Sequence, residues 1–213
     1  SISGLTNEYT GMCIEIRNGK IVEVPAFTEK EAIELPDPVG RCEAFLTSGG
    51  TSTGPWSFQG KVKNYGYKTI RYPGHYDAVR SMIDMGFLRE EPVSLAGGTV
   101  VPRELFHSLA QRFWEYPDEP DLLVLQVRAT GRDSRGEPVE LIQNVVDFHD
   151  PGTGITAMER TTAYSASIIA QMLDRGEIEP GVQPLELSVD PDRVVEALNR
   201  RGIHIETTLQ TVT

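Results

Sequence analysis

The most regular feature of the chain is where its apolar positions change period. In "MCIEIRNGKIVEVPAF" they alternate with polar ones on both sides of Asn18-Gly19. Two strands, Cys13–Ile16 and Ile21–Val24, joined by a type I′ turn are therefore predicted, because both turn positions tolerate positive φ. "GRCEAFLTS" reads as a further strand, followed by "GGTSTGP", too rich in Gly, Ser and Thr to be regular. "KVKNYGYKTIRY" reads as one extended segment, bulged at Gly66. The period then becomes helical. Tyr76–Met85 places Ala78, Val79, Met82 and Ile83 on one side, with Gly86 as a left-handed stop and Phe87 packing back. Pro102–Trp114 starts on proline and aligns Leu105, Phe106, Leu109, Ala110 and Phe113.

In the remainder, "DLLVLQVRAT" and "VELIQNVVDFH" are long strands, and "GRDSRGEP" between them makes a hairpin. Thr156 and Glu159 form a capping box for a helix running to about Arg175, with Gly176 as its stop. Asp190-Pro191 opens a last helix, closed by Gly202. Five or six strands and four helices result, and several strand pairs are hairpin-linked. The predicted class is α+β: a mixed, largely antiparallel sheet with helices on one face, in one domain spanning residues 1–213. Leu123, Leu125 and Val127 point to one side of the hairpin at residues 121–149, and Leu122 and Val124 to the other. A face so apolar in both phases needs cover, and a homodimer built on this sheet would supply it.

Composition narrows the picture. Of the 213 residues 39% are hydrophobic and 24% charged, the profile of a water-facing globular chain. No apolar run reaches the ~20 residues of a membrane span, and the first residues have neither the basic nor the apolar region of a signal peptide. The net charge of −11 is spread along the chain and repels phosphate backbones, which argues against nucleic acid as a partner. Two cysteines, Cys13 and Cys42, without a CxxC, give no disulfide framework and no thiolate metal site. A cytoplasmic, reduced setting is the expectation.

The candidate chemistry sits in "TIRYPGH", residues 69–75. As a strand, Thr69 and Arg71 share one face and Ile70 and Tyr72 the other. Pro73-Gly74 then turns the chain, and His75 starts the following helix, where free N–H groups favour an anion. Arg71, with its planar fork, suits a carboxylate. On spacing alone a structural corner is the better reading: an arginine on a sheet often pairs with a surface carboxylate, and a histidine at a helix start is usually solvated. Thr161 and Thr162 in "MERTTAYSASI" can present hydroxyls at a helix start, though bonding back to a carbonyl one turn earlier is the commoner fate. His107, three positions after Glu104, reads as a surface pair, and His149 ends a strand. No histidine–carboxylate spacing suggests a metal, and neither GxxxxGK[ST] nor GxGxxG occurs.

Taken in order, "IRNGKIVEVPA", "EAFLTSGGTST", "KTIRYPGH", "MERTTAYSASI" and "GEIEPGVQPLE" resemble the C-terminal region of the saccharopine dehydrogenase-like family, lysine 6-dehydrogenases most closely, over roughly Asn7 to Glu206. "RYPGH" after a strand is the most specific part. Ala163 stands where the family has glycine, and Ser165 where it has proline. The resemblance implies a substrate-binding and dimerisation domain, similar in type to the C-terminal domain of glyceraldehyde-3-phosphate dehydrogenase. It would be a fragment of a longer NAD- or NADP-dependent enzyme whose cofactor sits on a separate N-terminal Rossmann half, and alone it would be inactive. The implied reaction oxidises the C–N bond of an amino acid such as lysine or saccharopine. The implied roles are proton handling for His75, substrate carboxylate for Arg71, and substrate contacts for Tyr72, Thr161 and Thr162. A non-catalytic amino-acid-binding or dimerisation module, and a carboxynorspermidine-type reductase domain, are the alternatives.

Overall fold

A computed structural model describes residues 2–114, 116 and 119–212. The chain divides into two compact units, Ser1–Pro117 and Asp118–Thr213.

The first unit holds α1 (Ile2–Glu8), the hairpin β1 (Met12–Arg17) and β2 (Lys20–Pro25), and the antiparallel sheet β3 (Glu31–Leu35), β4 (Gly40–Leu46) and β5 (Lys68–Arg71), with β4 in the middle. Then follow α2 (Gly54–Phe58), α3 (His75–Asp84), the short hairpin β6 (Val93–Leu95) and β7 (Gly98–Val100), and α4 (Pro102–Trp114). The first hairpin turns as predicted: Arg17 pairs with Lys20, and Asn18 and Gly19 sit at φ 51° and 78°. α3 also ends as predicted, with Gly86 N–H donating to Ile83 O (2.9 Å) and Phe87 N–H to Met82 O (3.0 Å). β4 is buried from Cys42 to Leu46 because sheet and helices close on it from both sides. Its Phe45 joins Tyr9, Phe27, Val79, Leu88, Phe106 and Ala110 in the core.

Two readings are corrected here. Residues 49–55 are not wholly irregular: α2 begins at Gly54, with Pro55 in its first turn, where a missing N–H costs nothing. The stretch 61–72 is not one strand. Only Lys68–Arg71 enters the sheet, while Tyr65 makes a single bridge to Ile16. At Gly66 a Cβ would fall 2.6 Å from Glu15 Oε1, so glycine there admits a half-turned carboxylate rather than a bulge.

In the second unit the order is β10 (Glu206–Thr211), β9 (Pro138–Phe148), β8 (Leu122–Arg132), again antiparallel. It also has α5 (Ala157–Asp174), α6 (Leu185–Ser188) and α7 (Pro191–Asn199). The capping box at Thr156 and Glu159 is formed on both sides. The Asp121 carboxylate accepts from the N–H groups of Ala157 (2.7 Å) and Met158 (3.0 Å), a second acceptor at the same helix start. Arg160 pins α5 to β9 through Asp147 (2.9 Å), both side chains nearly buried. α5 and α7 pack through Ile168, Met172 and Ala197. The α+β class therefore holds, but the strands form four small sheets rather than one, every described pairing antiparallel. None of the described helices is long and apolar enough to cross a membrane.

Candidate functional site

The corner at 69–75 is built from three sides of the first unit. β5 lies beside β4, with Arg71 opposite Glu43 and Thr69 opposite Phe45. These four side chains therefore share one face, and the Thr69 hydroxyl meets that of Thr47 at 2.6 Å. Gly74 stands at φ 99°, ψ −19°, a left-handed conformation that reverses the chain before α3. That turn brings His75 over the aromatic core. Its Nε2 lies 2.8 Å from the Tyr9 hydroxyl. Its ring lies parallel to Phe45 (6.3 Å between centroids), edge-on to Tyr9 (5.7 Å) and tilted toward Trp114 (5.9 Å). The next residue locks the corner: Tyr76 N–H donates to Glu43 Oε1 (2.5 Å), and its hydroxyl donates to Phe27 O (2.9 Å).

Electrostatics follow from this packing. Burial, seconded by the Arg71 charge, lowers the His75 pKa to about 4 against a weaker opposing pull from Glu43. The imidazole is thus neutral at neutral pH. Burial also raises the pKa of the Tyr9 phenol, an effect that the neighbouring Arg71 partly offsets. Arg71 itself is half-buried, and its Nη1 donates to Ile70 O (2.9 Å). Among the described residues no carboxylate lies within ion-pair distance of it; the nearest by register, Glu43, is engaged by α3.

Of the residues singled out in the sequence, Arg71 and His75 are brought together. Tyr72 is not part of their cluster: it is 57% exposed, on the strand's other side. Thr161 and Thr162 belong to the second unit, and each hydroxyl bonds within its own helix, Thr161 to Ala157 O (2.9 Å) and Thr162 to Met158 Sδ (3.9 Å). The His107 reading is corrected: its Nε2 meets the buried Thr6 hydroxyl at 2.8 Å across the α1–α4 contact. Cys13 and Cys42 are free and buried. Two residues of the site escaped the sequence reading. Tyr9 is 66 positions from His75 and no spacing links them, whereas Glu43, a carboxylate inside an apolar strand, was a visible signal. A cleft of about 400 Å³ lies elsewhere, between α5 and α7. Its guanidiniums are already paired, Arg175 and Arg193 with Glu177 and Arg200 with Glu196, so it offers no unspent charge.

The first unit thus sets an arginine–histidine corner at a helix start among small antiparallel sheets and flanking helices. Residues 1–203 match the model of the saccharopine dehydrogenase C-terminal domain, and the chain belongs to that family. Its fold is also similar to that of apo saccharopine dehydrogenase (L-Glu forming) from Saccharomyces cerevisiae, with a TM-score of 0.74 at 16% identity. The likeness covers 99% of this chain and 61% of that one. The family is one of dehydrogenases, so the chain is a domain of oxidoreductase type.

Proposed function

We propose that this chain is the substrate-binding domain of an NAD- or NADP-dependent dehydrogenase acting on the C–N bond of an amino acid such as lysine or saccharopine. The observation that carries the reading is Arg71: a half-buried guanidinium without a carboxylate partner among the described residues, beside a neutral imidazole. Desolvating a charge without a partner is unfavourable, and a ligand carboxylate would relieve that. A planar fork holds such a group in two bonds. Lysine and saccharopine both carry an α-carboxylate of this kind.

The residues of this chain do not fit a dinucleotide. The 213 residues contain no GxGxxG, and among the described residues the strand pairings are all antiparallel, which supports a cofactor site outside this chain. In this reading the nicotinamide is held by residues outside the sequence. The chain by itself should accordingly show no saturable NAD or NADP binding by calorimetry, and a micromolar dissociation constant would overturn that division of labour. The reaction itself is tested on the full-length gene product. A panel of L-lysine, L-saccharopine and carboxynorspermidine, with nicotinamide reduction or oxidation followed by absorbance, should give turnover on L-lysine or L-saccharopine, whereas turnover on carboxynorspermidine alone would favour the reductase alternative. Binding without turnover would favour a non-catalytic module.

A further inference from the structure

We infer that Tyr9 is the positioning residue of this site: its buried hydroxyl fixes His75 as the Nδ1–H tautomer, so the open edge of the imidazole is a hydrogen-bond donor that joins Arg71 in holding an oxygen acceptor. The identity of that acceptor as an amino-acid carboxylate rests on the function proposed above; the tautomer does not.

The geometry leaves the phenol one choice. Tyr9 is only 2% exposed, so its O–H finds no bulk water. Arg71 is close enough to the phenol to lower its pKa, and a guanidinium can only donate, so it offers the phenol proton no acceptor. Among the described residues the single acceptor within hydrogen-bond distance of the hydroxyl is His75 Nε2, at 2.8 Å. Were Nε2 the protonated nitrogen, it would donate to the phenol oxygen while the phenol's own proton stayed buried without a partner, which folded proteins avoid. The proton therefore runs from Tyr9 to Nε2, and the ring proton sits on Nδ1. Phe45 and Trp114 fix the ring plane. Nδ1 makes no hydrogen bond to a described residue, and His75 is only partly buried.

Among the described residues three charged or titratable groups face the imidazole. Arg71 from β5 opposes its protonation; Glu43 from β4 favours it but is spent on the start of α3; Tyr9, just after α1, supplies the fixed donor. From α4 the described neighbour is the uncharged Trp114. This gives His75 a different part from the proton handling expected on the sequence: for Nε2 to take a proton, Tyr9 would first have to give up its bond. Arg71 and His75 together present donors and no acceptor, the makeup of a site for an anionic oxygen.

The tautomer can be read directly from the imidazole ¹⁵N spectrum of the intact chain, with His75 assigned by its loss in His75→Gln. The expected pattern is a protonated-type Nδ1 and an unprotonated-type Nε2 at neutral pH. Tyr9→Phe keeps the ring and removes only the hydroxyl; it should shift the pattern toward Nε2–H and move the His75 titration midpoint upward, with the amide spectrum otherwise preserved. A wild-type spectrum showing Nε2–H would overturn the inference without any variant, and so would a Tyr9→Phe spectrum in which the His75 nitrogens stay put. Titration with L-lysine separates the two claims. A shift of His75 Nδ1 supports both, whereas the expected tautomer with no response to L-lysine upholds the role of Tyr9 and counts against the amino-acid reading.

Discussion

Two arginines of this chain show what a partner does. Arg160 is wedged against Asp147 with both side chains nearly buried, so it holds a helix to a sheet. Arg71 has no such carboxylate among the described residues. Replacing Arg71 with lysine should therefore leave thermal stability almost unchanged. In the full-length enzyme it should lower kcat/KM roughly 10- to 150-fold, because a point charge replaces a two-pronged donor and one charge-assisted bond is worth about 1.5–3 kcal/mol. Melting temperature and steady-state kinetics on one purified variant check both halves. A destabilised but fully active enzyme would mean that Arg71 only builds the corner. His75 gives a second expectation. Its folded pKa of about 4 lies below the ordinary value of 6.5, so between these pH values the unfolded chain binds the additional proton. Stability is then full above about pH 6.5 and falls as the pH drops toward 4. Allowing for its partial exposure, the loss is on the order of 2 kcal/mol. Urea midpoints at pH 7.5 and 5.5 should separate in the wild type, and the gap should shrink in His75→Gln.

At the scale of elements, the local rules that end helices and turn hairpins carried through to the structure. α3, α5 and α7 each stop with paired bonds around Gly86, Gly176 and Gly202, and the β8–β9 hairpin keeps its register from Leu122↔Phe148 to Arg132↔Pro138. These features depend on neighbours a few residues apart, so they are legible in the chain. The elements that were not legible are short or weakly patterned: α1, α2, α6, β3, the β6–β7 hairpin and β10. β10 is exposed at all six positions, and its strand character comes from pairing with β9. The corner itself tests the same logic. A Cβ at Gly74 would meet nothing within 4 Å, so Gly74→Ala carries no clash, only the strain of φ 99°. The expected cost is about 1–2 kcal/mol, read from urea unfolding, together with a displaced His75 resonance because the turn no longer aims the ring at Tyr9.

For the whole molecule, the second unit exposes apolar side chains that no part of that unit covers. Leu125, Val127 and Leu209 lie on one face of the β10–β9–β8 sheet, and Leu209 is 65% exposed. A patch of this kind on a sheet usually marks an interface, and we propose that a second copy of the chain covers it. Sedimentation at high micromolar concentration should show a dimer, and Leu209→Glu should give a monomer with unchanged circular dichroism. A wild-type monomer at that concentration would count against the proposal.

The sequence by itself determined the α+β class, the four longest helices with the glycine stops of three of them, two hairpins and the family. Each depends on periodicity, on turn chemistry or on motifs contiguous in the chain. It also pointed to Arg71 and His75, because both stand at a strand-to-helix corner only seven residues long. Tertiary structure decided what those two residues meet. Tyr9 reaches His75 only because α1 delivers it to the aromatic core, and Glu43 is drawn away from Arg71 because the first turn of α3 claims its carboxylate. Such partnerships join residues 33 and 66 positions apart. No period or spacing encodes them; they exist only once the hydrophobic side chains of β4, α3 and α4 have packed and left the Tyr9 hydroxyl and the Glu43 carboxylate beside the neighbours that satisfy them.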